Sequence, residues 1–133
     1  MMTNAKMSIF NRYVDPFTKQ VTFKKHVVDN VFWDDEKQVS LDDGFEKTNR
    51  AEIYIPHDKN DLTDYVVPKK YNGSNWTINN GDFIIKGEVV ETEVNGIKEL
   101  SQYDVFEIMS WSNKDYGSPD MWHFEIIGDS RNR

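Results

Sequence analysis

Apolar residues along this chain alternate with polar ones over short runs, and most of those apolar residues are β-branched or aromatic. Ala51-Glu52-Ile53-Tyr54-Ile55-Pro56 is the clearest case. Ala51, Ile53 and Ile55 point one way and Glu52 and Tyr54 the other, the two-residue period of a pleated strand. Pro56 has no N–H to donate and ends the run. Strand-like patterning starts at Ile9, passes through Phe10-Asn11-Arg12-Tyr13-Val14 to the Asp15-Pro16 turn, and resumes over Val21–Val28 and Val31–Trp33. Asp34–Lys37 and Leu41–Phe45 read as polar connections around a short strand at Gln38–Leu41.

Further on, His57–Asp64 is a charged loop, Tyr65–Tyr71 an extended edge segment and Trp76–Ile78 a short strand. Asn79-Asn80-Gly81-Asp82 is a turn leading into strands near Phe83–Ile85 and Glu88–Val94, with Gly87 as a bulge or barrel corner. Asn95-Gly96 is a hairpin signal. Ile97–Tyr103 fits one or two helical turns, and Val105–Trp111 and Trp122–Ile127 close the set. The pattern predicts an all-β small barrel or sandwich of about 7–9 short, mainly antiparallel strands with turn signals every 8–12 residues or so. It includes little helix and a long acidic loop region. One domain is expected over 1–133: a flexible arm at 1–8, a β-barrel at 9–128 and a frayed tail at 129–133.

Composition agrees with strands. Two alanines and three leucines in 133 residues are too few for a helical bundle, whereas aromatics reach 14%. The absence of cysteine removes disulfides, thiolate metal sites and thiol nucleophiles. No run approaches the roughly 20 apolar residues of a membrane helix, and the N-terminus lacks a signal-peptide core, so synthesis in the cytoplasm and no membrane partner are expected.

The net charge of −7 is uneven. Residues 1–30 carry five basic and two acidic groups, whereas residues 31–64 carry four basic and ten acidic. General coating of nucleic acid is disfavoured by that balance. A basic edge and an acidic face are compatible with head-to-tail contact between subunits.

Candidate chemistry is sparse. His26, His57 and His123 lie 31 and 66 residues apart, which matches no local metal-ligand spacing. Asp58–Asp64 fails the calcium-loop pattern, because Thr63 and Lys69 stand where glycine and glutamate are needed. No phosphate loop is present. No catalytic residue, metal or cofactor is therefore expected. Two other classes stay open: a carbohydrate-binding, lectin-like face using Trp33, Trp76, Trp111 or Trp122, and a hydrolase with a carboxylate pair such as Glu91 and Glu93.

Four stretches, "IFNRYVDPFTKQVTFKKHVVDNVFW", "AEIYIPHD", "WTINNGDFIIKGEV" and "WSNKDYGSPDMWHFEIIG", together resemble a group of small uncharacterised proteins of phages and prophages of Gram-positive bacteria. The layout is similar to the head-closure, or stopper, proteins that join head to tail in long-tailed phages. Gly81-Asp82, Ile84-Ile85 and Gly87 match the strand-pair positions of that pattern, and Ile108 and His123–Ile127 the closing ones. The extra acidic segment 34–64 departs from it, which leaves a minor head or tail-completion protein as an alternative.

The resemblance implies a non-enzymatic virion protein at the head–tail junction. It would form a ring with itself, touch connector, tail or head proteins, and let phage DNA pass without sequence-specific binding. Residues 1–13 and the loop 57–75 are the expected contact segments, with Phe10, Arg12, Tyr13, His57, Tyr65 and Tyr71 as candidate interface residues.

Overall fold

The computed structural model describes residues 2–38 and 48–131. Seven antiparallel strands form one sheet: β1 (Ala5–Val14), β2 (Val21–Gln38), β3 (Thr48–Pro56), β4 (Phe83–Lys86), β5 (Glu93–Val94), β6 (Val105–Lys114) and β7 (His123–Ser130). Short 3₁₀ turns at His57–Lys59, Pro68–Lys70, Ile97–Leu100 and Pro119–Met121 are the only helical elements among the described residues. The spatial order is β1-β4-β6-β7-β3-β2-β5, and β1 also pairs with β2, so six strands close a hydrogen-bonded ring with β5 added outside it. Of the two architectures expected, the chain adopts the barrel.

Closure depends on the length of β2. Its first part pairs with β1 from Val14↔Val21 to Ala5↔Val31, and its second part pairs with β3 from Phe32↔Tyr54 to Gln38↔Thr48. Asp34–Lys37 therefore continue a strand, contrary to the connection expected there. Phe32 and Asp34 occupy the outer positions of a pleat whose inner position holds the buried Trp33. Within the acidic segment 34–64 the strand expected at Ala51–Pro56 is present and begins earlier, at Thr48, and the expected strand at Gln38–Leu41 lies largely outside the described residues.

Two apolar clusters hold the ring. Inside it, Met7, Ile9, Val31, Trp33, Ile53, Ile55, Ile84, Phe106, Ile108, Phe124 and Ile126 pack with Trp76 and Ile78. Outside β1 and β4, Phe10, Phe83, Ile85, Val89, Val94, Leu100 and Val105 form a second cluster under the segment that follows β4. β1 is consequently buried on both faces, and Met7 through Asn11 are all inaccessible to solvent. The expected arm at 1–8 is shorter than that, because Ala5–Ser8 pair with β2 and Met7–Ser8 also pair with β4. Of the tail expected to fray over 129–133, Asp129 and Ser130 belong to β7 and Ser130 is buried, while residues 132–133 lie outside the described residues.

The cover over β1 is anchored by polar contacts. Ser8 Oγ donates to the Gly87 carbonyl (2.7 Å) and accepts from the Val89 N–H (3.1 Å), and Gly87 N–H donates to the Lys6 carbonyl (2.7 Å). Gly87 has φ +97°, a conformation open to glycine, and there the chain leaves the ladder. The strand expected over Glu88–Val94 shrinks to Glu93–Val94 for that reason. Asn95-Gly96 does not form the expected hairpin: β5 pairs with β2, and the chain turns into a 3₁₀ segment. Tyr65–Tyr71 and Trp76–Ile78 share only a single bridge, Tyr65↔Trp76.

Ile84 is fully buried between Ile9 on β1 and Phe106 on β6. Ile84→Ala should cost about 2–5 kcal/mol in urea unfolding followed by tryptophan fluorescence. Val90→Ser, at a side chain that is 83% exposed, should stay within about 0.5 kcal/mol.

Candidate functional site

β4 pairs with β1 only as far as Phe10↔Phe83, so the rest of that β1 edge needs other partners. Side chains supply them. Asp82 Oδ1 accepts the Arg12 N–H (3.0 Å), and Asp82 Oδ2 accepts from Asn11 Nδ2 (2.8 Å). The Asn11 amide also pairs with the Thr77 backbone, Nδ2 donating to its carbonyl (2.8 Å) and Oδ1 accepting its N–H (3.1 Å). The two side chains thus extend the ladder beyond the end of β4, and they tie the Thr77–Asp82 turn to β1. Gly81, at φ +90°, makes that turn, which the sequence predicted.

Asp82 is only 3% exposed, and burial pushes its carboxyl from 3.8 up to about 6, although the bonds from Arg12, Asn11 and Asn79 pull the other way. The nearby Tyr71 hydroxyl is buried without a hydrogen-bond partner, and burial, reinforced by Asp82, pushes it to about 12. This polar group is a clamp within the fold.

The candidate interface residues separate on inspection. Phe10 is fully buried in the second cluster and cannot meet a partner, while Arg12 is exposed. Tyr13 and Tyr71 pack edge to face at 6.3 Å, with Lys24 over the Tyr13 ring. His57 lies against Trp122 and Phe124, and Tyr65 against Trp76 and Phe124. Five of the six therefore hold the protein together. The tryptophans form no exposed platform: Trp33 and Trp76 are core, and Trp111 and Trp122 are half-buried. Glu91 accepts from Tyr103 and Gln102, which hold its carboxyl below the usual range, while Glu93 pairs with Lys24.

A cleft of about 180 Å³ lies between His26, Asp29, Asn60, Asp61, Asp64 and Trp76. The His26 ring stacks on Trp76 at 4.4 Å, and burial pushes its imidazole toward the neutral form against the pull of the three aspartates. Among the described residues no three metal-ligating side chains converge.

Large apolar side chains face solvent mainly at the loops and ends of the barrel: Phe17 in the β1–β2 turn, Val90 in the cover, and Tyr116 and Met121 between β6 and β7. One sheet face also stays uncovered. On the outside of β2, β3 and β7, Phe32 lies across from Tyr54 and Tyr54 across from Glu125. Phe32, Tyr54, His123 and Met2 line an open hollow of about 420 Å³. Phe17 was missed in the sequence because turn residues have no period to read. Phe32 was assigned to a strand, but not to the outer face.

The chain belongs to a family of unknown function, DUF6751. The family model matches residues 2–129, from the start of the described chain almost to the end of β7. No curated protein and no solved structure matches the chain. Among the described residues, no helix is long and apolar enough to cross a membrane.

Asp82 titrates higher in the folded protein than in the unfolded chain, so its contribution to stability is full below pH 4 or so and is lost as pH rises through about 6. Wild type should lose on the order of 3 kcal/mol relative to Asp82→Asn between pH 4 and 7, measured by denaturant unfolding. Parallel stability curves for the two proteins would contradict the shift.

Proposed function

We propose that this protein is a non-enzymatic virion component of a phage or prophage, a head–tail joining part that assembles into a ring. The observation that carries the reading is the distribution of exposed apolar groups. They project from the loops of a closed barrel, at Phe17 (91% exposed), Val90 (83%) and Tyr116 (72%), instead of lining a deep pocket. Large apolar groups held out by a rigid scaffold suit docking onto neighbouring proteins. The motif-level likeness to phage stopper proteins, whose strand-pair positions fall on Gly81–Gly87, supports the virion assignment.

In this reading the protein is made in the host bacterial cytoplasm and ends at the head–tail junction. Its partners are further copies of itself and the adjoining connector, tail or head proteins. Phage DNA slides through the ring without sequence-specific binding, and the net charge of −7 favours sliding over sticking.

Removing the gene from its phage should leave DNA-filled heads without attached tails in electron micrographs, and a labelled copy should mark the head–tail junction of complete particles. Normal tailed particles in the deletion would overturn the reading. Label on the head shell or the tail tip would move the protein to a minor head or tail-completion role.

A further inference from the structure

The β1–β2 turn is an ordered mount for one exposed ring. Asp15 Oδ1 accepts the N–H groups of Phe17 (2.8 Å) and Thr18 (3.0 Å). The Asp15 carbonyl accepts the Lys19 N–H, and the Asp15 N–H donates to the Gln20 carbonyl, both at 2.9 Å. Lys19 takes φ +63° to complete the turn. These bonds hold the backbone under Phe17, whose side chain is 91% exposed. An aromatic anchor on a pre-formed turn loses little backbone freedom on binding, which is how a small contact gains strength.

The uncovered sheet face offers a complementary surface. Its hollow is walled by Phe32 and Tyr54, with ring centroids 6.1 Å apart, by His123 at 5.7 Å from Tyr54, and by Met2. Its rim is acidic. Asp34 and Glu52 form the neighbouring cross-strand pair on the same outer face, and Glu125 lies opposite Tyr54; Glu52 is met by Arg50 (3.6 Å) and Glu125 by Lys114 (3.8 Å), which leaves Asp34 as the carboxylate of the three with no ion-pair partner among the described residues. Lys19, two residues beyond Phe17, has no ion-pair partner among the described residues. Ring and ammonium on the turn thus match the hollow and the Asp34 carboxylate on the sheet.

The two surfaces cannot meet within one molecule. The turn precedes β2 and the hollow lies along its second part, a span of up to ~40 Å at the usual rise of a strand. We propose that Phe17 of one copy inserts into the hollow between Met2, Phe32, Tyr54 and His123 of the next, with Lys19 against the acidic rim. Different patches then meet, so the contact is head-to-tail and propagates into a ring or a filament. It deepens the ring assembly proposed above and names the contact that makes it.

The test uses the full chain in sedimentation velocity across a concentration series. Wild type should grow past dimer. Phe17→Asp, which alters only the turn, and Tyr54→Lys, which alters only the hollow, should each stay monomeric, with at least tenfold weaker association and unchanged circular dichroism. Mixed together, they should form a dimer that grows no further, because one intact turn and one intact hollow remain between them. Lys19→Glu should weaken wild-type assembly more at low salt than at high salt.

A wild-type chain that stays monomeric to millimolar concentration, a Phe17→Asp chain that assembles normally, or a mixture that stays monomeric would each overturn the contact. Localisation in particles is read separately. A protein found at the head–tail junction whose Phe17→Asp form still assembles would remove this contact and leave the virion reading in place.

Discussion

Everything in this fold depends on β2 pairing twice. Its first part pairs with β1 and its second with β3, and that change of partner turns an open sheet into a ring. A shorter strand would leave β1 and β3 with bare edges, open to unwanted pairing with other chains. Closure also fixes what is inside. The inward positions of six strands face one another across the main cluster, and the outward positions of β1 and β4 are left to be covered by the residues after Gly87.

The second device is the use of side chains as backbone. Where β4 stops, Asn11 and Asp82 supply the donors and acceptors that a longer strand would have supplied. Ser8 does the same for the cover on the opposite face of β1. Burying a polar group is costly unless it is paired, and these pairings explain how Ser8 and Asn11 sit in a strand that is otherwise sealed. The carboxylate at Asp82 carries the largest penalty, because burial outweighs the hydrogen bonds around it and the pull of the Arg12 charge.

Much of the β-pattern was legible along the chain because pleating has a two-residue period. Ala51, Ile53 and Ile55 face inward and Tyr54 outward, as their alternation requires. Where the reading failed, the cause lies far along the chain or in φ. Phe10 reads as one face of an ordinary strand, and only the cover contributed by Val89, Val94 and Leu100 makes its outward face a core. The acidic residues after Trp33 read as a connection because charge marks loops and outer strand positions alike. Glu88–Val94 alternates like a strand, yet the positive φ at Gly87 takes it off the ladder. His57, Tyr65 and Tyr71 read only as loop aromatics, because nothing in a loop's sequence announces the ring contacts that these half-buried side chains make within the molecule.

β7 fills the place between β3 and β6, and its pairing with β3 joins residues as distant as Arg50 and Asp129. On the ribosome, β3 emerges long before that neighbour exists. At synthesis rates of about 5–20 residues per second, its free edge waits roughly 4–16 s for the last strand. The nascent chain therefore passes through a stage in which β3 and β6 each present an unpaired edge, and the ring closes only once β7 has been made.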